Sequence, residues 1–240
     1  MSPLNSEFLR MHPIEQAILS HIDRYEITTA EASFNALVRG MTSVEIARNR
    51  LDALVRRKIL RREPLFKATP CYSRNKRRLA PTRNGDRVGV DDVLSIPEKL
   101  RRFAMLQFCT LHSKNRNRLT RQEMSLRFTD LYRENVPVNY YVASDDSTTK
   151  LGFLRVDLCG HGRWDRIVSK LNSDLHWHLQ HRTVKQLLSA HAFEMTVVTT
   201  LWPKARRIES ALAEKSQLMP IPVRVIAMPE FMSIIRPPPD

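Results

Sequence analysis

The run 150-KLGFLRVDLCGHGRW-164 decides how the second half of the chain is read. It is rich in β-forming residues, and a second such run, 136-VPVNYYVAS-144, lies just ahead of it. Between them stands a polar turn that includes Asp145 and Asp146, so the two runs predict a hairpin. Downstream, Trp164, Val168, Leu171, Leu175 and Leu179 recur at helical spacing. The stretch 193-FEMTVVTT-200 predicts a buried strand, 204-KARRIESALAEKSQL-218 an amphipathic helix and 222-PVRVIAM-228 a last strand. The order β-β-α-β-α-β gives a mixed sheet flanked by helices.

Upstream the period is helical. In 12-HPIEQAILSHIDRYEITTAEAS-33, Ile14, Ile18 and Ile22 fall on one stripe, and a short extended link leads to a second helix around residues 30–39. The third helix is predicted in 41-MTSVEIARNRLDALVRRKIL-60, where Thr42 and Glu45 have the spacing of a capping box. Val44, Ala47, Leu51, Leu54, Val55 and Ile59 would bury one face, with Arg48, Asn49, Arg50, Arg56 and Arg57 on the other. Residues 60–66 and 72–79 predict a two-stranded pair around the turn at 67–70.

Three short helices followed by a basic hairpin, with Leu79, Thr82 and Gly85 at its end, resemble a winged helix-turn-helix domain. That resemblance implies a third helix in the major groove of double-stranded DNA and a wing along the phosphates. Ser43, Arg48 and Asn49 are then the candidates for base edges, and Arg74, Lys76, Arg77 and Arg78 for phosphates. Thr42, Arg50, Arg56 and Arg57 complete the candidate DNA-binding set. A domain of this shape can also serve as a protein-docking module.

The charge supports a polyanion partner. The net charge is +14, and the whole excess lies in one block, residues 48–118, which holds 20 Lys and Arg against 6 Asp and Glu. Phosphate contacts release condensed counterions, so such a block is the footprint of nucleic-acid binding. It is not a single amphipathic basic helix, which argues against a membrane-surface role. No apolar run is long enough for a membrane span and the N-terminus lacks a signal-peptide core, so a cytoplasmic protein is expected. Three cysteines without CxxC spacing indicate neither a disulfide framework nor a zinc knuckle.

Taken together, the expected class is α+β: a winged helix-turn-helix domain over residues 1–90, a helical linker and possible dimerisation segment over 91–135, and a mixed-sheet α/β domain over 136–240. In the linker, Pro97 opens a helix and 112-HSKNRNR-118 reads as an exposed basic loop.

The α/β half has the core order of restriction-endonuclease-like folds. A winged helix joined to such a core resembles the replication-relaxation family of bacterial plasmids and other mobile elements. The resemblance implies an acidic residue on the first hairpin strand, a Glu-x-Asp pair on the second and a Lys-Leu pair in the next helix. This chain has Asn139 at the first position, Arg155 and Asp157 at the pair, and Lys170 with Leu171 in the helix. Cleavage of this kind needs two or three carboxylates around Mg²⁺. An arginine puts a permanent positive charge where the dication would bind. If the chain were a nuclease, Asp145, Asp146, Asp157 and Lys170 would have to converge.

No metal or other cofactor is expected. His176, His178 and His181, with Cys159 and His161, offer no tight ligand pair, and neither a nucleophile elbow nor a phosphate-cradling glycine loop is present. The expectation is a non-enzymatic DNA-binding protein of a bacterial mobile element, acting as a transcriptional regulator or a non-catalytic replication or transfer factor, as a homodimer or with a protein partner. The alternatives are a Mg²⁺-dependent DNA nuclease and a protein-docking subunit of a nucleoprotein complex.

Overall fold

The computed structural model describes residues 11–37, 41–66, 69–75, 77–81, 87–91, 94–111, 115–134, 136–144, 148–157, 164–214 and 220–229. The chain divides into two compact units, Met1–Leu106 and Gln107–Asp240, each of mixed α and β structure. Among the described residues no helix is long and apolar enough to cross a membrane.

In the first unit, α1 (Pro13–Tyr25) starts at a proline, which suits a first turn whose N–H groups have no helical partner. Its Ile18, Leu19 and Ile22 stripe is fully buried. Thr29 caps α2 (Ala30–Ala36), and α3 (Val44–Arg56) follows. The cap of α3 is Ser43 rather than Thr42. Ser43 has the extended backbone of a cap and its hydroxyl accepts from the Ile46 N–H at 3.2 Å.

Strands β1 (Leu60–Phe66) and β2 (Thr69–Arg74) pair antiparallel. The link before α2 joins them, because Thr28 and Tyr72 exchange backbone bonds of 2.9 and 2.8 Å. The strand expected over 72–79 is broken. Strand β2 ends at Arg74, and Asn75 donates from its backbone to the Ile59 carbonyl and from Nδ2 to the Lys58 carbonyl. A second antiparallel hairpin follows, β3 (Arg77–Pro81) with β4 (Arg87–Asp91). Thr82 and Gly85 lie outside the described residues, and the next described element is β4 rather than a helix.

The division between the units falls inside α4 (Ile96–Thr110), so residues 91–135 are shared between the units instead of forming a separate linker. The expected basic loop supplies an edge strand, β5 (Arg116–Arg118). The Arg118 Nε donates to the Val138 carbonyl at 3.2 Å, which holds the strand in place. A complete capping box, Thr120 with Glu123, starts α5 (Arg121–Arg127).

Then come β6 (Tyr140–Ser144), β7 (Thr149–Val156), α6 (Trp164–Leu179), α7 (Arg182–Ser189), β8 (Phe193–Thr199), α8 (Trp202–Ala213) and β9 (Val223–Ala227). This is the order read from the sequence with α7 added. The sheet runs β5-β6-β7-β8-β9, antiparallel up to β7 and parallel from β7 to β9.

Alternation sorts the sheet's side chains. Leu151, Phe153, Phe193, Met195 and Val197 join Leu171 and Leu175 of α6 and Ile208 of α8 in one core. Leu119 and Met124 belong to the same core, which is why β5 and α5 fold with the second unit. Residues of the opposite parity carry a polar cluster. Tyr141 is the register partner of Gly152, and its hydroxyl sits 2.7 Å from both Glu194 Oε1 and Thr196 Oγ1. Phe108 meets the Tyr141 ring edge-on, and the Arg116 guanidinium stacks 4.2 Å over Phe108.

Among the described residues, His21 of the first unit and His178 of the second are buried and neutral. Burial, helped by Arg24, holds His21 down at about 4, and burial likewise holds His178 at about 4. An unfolded histidine takes up its proton near 6.5, so between these values the unfolded chain binds more protons and stability falls as pH falls. Each histidine is expected to lower the stability of its unit by about 2 kcal/mol between pH 7.5 and pH 5. Urea unfolding at the two pH values checks this, and His21→Phe should remove the loss from the first unit alone.

Candidate nucleic-acid interface

The helix α3 turns Ala47, Leu51 and Leu54 inward, all at 0% exposure. The opposite face is set by that burial: Thr42, Arg48, Asn49 and Arg56 are exposed, together with Glu45 and Ile46. Arg50 is half-buried on the flank, not on the outer face. Arg57 is exposed too, but its Nη1 reaches Glu15 Oε2 at 2.9 Å and ties the end of α3 to α1.

Arg74 is similarly engaged within the fold. Its guanidinium makes two parallel bonds to Asp23, of 2.7 and 2.5 Å, which fasten β2 to α1. Arg77 and Arg78 lie on β3, and Lys76 lies outside the described residues. Sequence reasoning passed over two exposed cations next to this face, Lys58 and Arg62. Both belong to the dense run after α3, which was the available signal. Arg62 stands 3.6 Å from Asp52, and Asp52 also accepts the Tyr72 hydroxyl at 3.0 Å. Burial and this acceptor push the Tyr72 phenol up to about 12.

The positions that resemble a nuclease site are built differently from one. Arg155 follows Leu151 and Phe153 in the row of β7 that faces α6, and there it meets Asp174. Its Nε donates to Asp174 Oδ2 at 2.6 Å and its Nη2 to the same oxygen. Asp157 is 5% exposed; it accepts from Thr199 Oγ1 at 2.9 Å and lies 2.6 Å from Lys204 Nζ. Lys170 is exposed on α6 while Leu171 enters the core. Asp145 and Asp146 lie outside the described residues.

Among the described residues no group of three His, Cys, Asp or Glu side chains is placed to hold a metal ion. The three histidines part company: on α6, His176 is exposed and His178 is buried against Tyr140, while His181 is the cap residue ahead of α7. Asp174 and Lys204, the counter-charges of Arg155 and Asp157, were likewise missed in the sequence reading. Nothing in spacing could have matched partners so far apart along the chain.

No family model matches the chain. No curated protein matches it either. The first unit offers an exposed helix face with two arginines and an asparagine, groups that pair with guanine and adenine edges. The second offers carboxylates already neutralised by cations.

Proposed function

We propose that the chain is a DNA-binding protein that reads duplex DNA with α3, its first unit acting as a winged helix-turn-helix and its second as a non-catalytic nuclease-like domain. The observation that carries this reading is the outer face of α3, where Arg48, Asn49 and Arg56 are exposed while the opposite face is sealed in the core. Supporting it, α1, α2 and α3 are followed by a hairpin that the Thr28–Tyr72 bridge ties back to the helices. The basic block over 48–118 supplies the general attraction to phosphates. The strand and helix order of the second unit agrees with a nuclease-like core, and the Lys204–Asp157 pair argues against a metal-dependent reaction there. Resemblance to the replication-relaxation family extends the proposal to a mobile-element protein that regulates transcription or serves replication or transfer without cutting.

The test is binding to labelled duplex from upstream of the chain's own gene against random duplex, at two salt concentrations and with Mg²⁺. Site-selective binding with intact DNA is expected. Arg48→Ala with Asn49→Ala should weaken the selected duplex by about 1–3 kcal/mol per lost base contact and random duplex far less. Arg74→Ala should leave the preference between duplexes unchanged, because its guanidinium is spent on Asp23. Equal loss on both duplexes in the first variant, or cleaved DNA, would overturn the reading.

A further inference from the structure

We propose that a cleft in the second unit, between α5, α6 and the β6–β7 strands, is a binding site for a small planar aromatic carboxylate. The cleft has a volume of about 220 Å³. Sites for drug-sized ligands run from about 300 Å³ upward, so this one suits a single ring with a small substituent and not a nucleotide.

Its walls divide by chemistry. Leu131, Tyr132, Phe153 and Trp177 give it apolar and ring surfaces, which favour stacked or edge-on aromatic partners. The polar end is Arg155 with Asp174. At the rim the Arg133 guanidinium stacks 4.3 Å over Trp177. Two buried polar groups of the lining, His178 and Tyr140, are already bonded. His178 Nδ1 lies 2.6 Å from the Asp174 carbonyl, an atom that only accepts, so Nδ1 carries the proton. Nε2 is then the acceptor, and the Tyr140 hydroxyl donates to it at 2.9 Å. With His178 neutral, Arg133 and Arg155 against Asp174 leave the lining one positive charge in excess. That excess selects a monoanion.

Arg155 also supplies the fork. Its Nε and Nη2 both address one oxygen of Asp174. The second edge of a guanidinium, Nη1 with Nη2, is the geometry that takes a carboxylate bidentately. Two apolar residues would join β7 to α6 without the desolvation cost of an ion pair. The pair here instead holds a guanidinium oriented in the wall of an aromatic cleft.

The experiment uses the full chain with Trp164→Phe and Trp202→Phe, both exposed positions, so that fluorescence reports Trp177. Benzoate is expected to quench saturably, with benzamide and acetate each binding at least about tenfold more weakly. Arg155→Met with Asp174→Leu replaces the ion pair by an apolar one. It should lower benzoate affinity about tenfold and leave benzamide unchanged. Arg155→Lys keeps the charge but not the fork and should lose benzoate about tenfold as well, which covers the case in which the double variant does not fold. Absence of saturable benzoate binding, equal affinity for benzamide, or full benzoate affinity in a folded Arg155 variant would overturn the proposal.

Discussion

Gly152→Ala is expected to destabilise the second unit by about 3 kcal/mol or more. A Cβ at this position would come 2.0 Å from the Tyr141 Cζ and 2.4 Å from two further ring carbons. The Tyr141 ring cannot slide aside cheaply. Its hydroxyl is bonded to Glu194 and Thr196, its edge is packed by Phe108, and it is 0% exposed. Moving the ring therefore gives up buried hydrogen bonds as well as packing. Urea unfolding should show a lower midpoint with an unchanged slope. Tyr141→Phe, which loses only the hydroxyl, should cost about 1–2 kcal/mol. In a Tyr141→Ala background the alanine at 152 should cost little, and that coupling assigns the effect to the ring. Equal costs in the two backgrounds would place the glycine's role in the backbone.

Lys204→Met should cost about 3–5 kcal/mol, because it takes the ammonium away from a buried carboxylate. The two side chains are 5% and 4% exposed and lie 2.6 Å apart. Adding Asp157→Asn to Lys204→Met should recover most of the loss, since the charge then disappears with its partner. The same pair bears on catalysis. If the role of Asp157 is structural, Mg²⁺ leaves the Tm of the wild-type chain where it was. A Mg²⁺-dependent rise in Tm would contradict that assignment.

Local rules carried the sequence reading where the structure is local. The stripes of α1 and α3 follow from apolar spacing alone, and the hairpin around 145–149 from two β-rich runs and a polar turn. The cap of α3 was displaced by one residue because Thr42 and Ser43 are both good caps and only the backbone decides between them. Strand β5 was hidden because 116–118 is basic and short; what makes it a strand is the Val138 carbonyl and the β6 ladder, which lie further along the chain. The outward set on α3 was legible, with Arg50 the exception. The internal engagement of Arg57 and Arg74 was not, because Glu15 and Asp23 lie on another helix.

The ends of the sheet bear on how copies of this chain could associate. One outer strand, β5, is three residues long and begins and ends with arginine, while the other, β9, presents Arg224 at 53% side-chain exposure. Strand β5 offers few backbone bonds to a neighbour, and Arg224 places a charged side chain on the outer strand β9, features that discourage edge-to-edge pairing. Edge-to-edge association of two copies through this sheet is disfavoured for the same reason, as is a peptide added as a sixth strand.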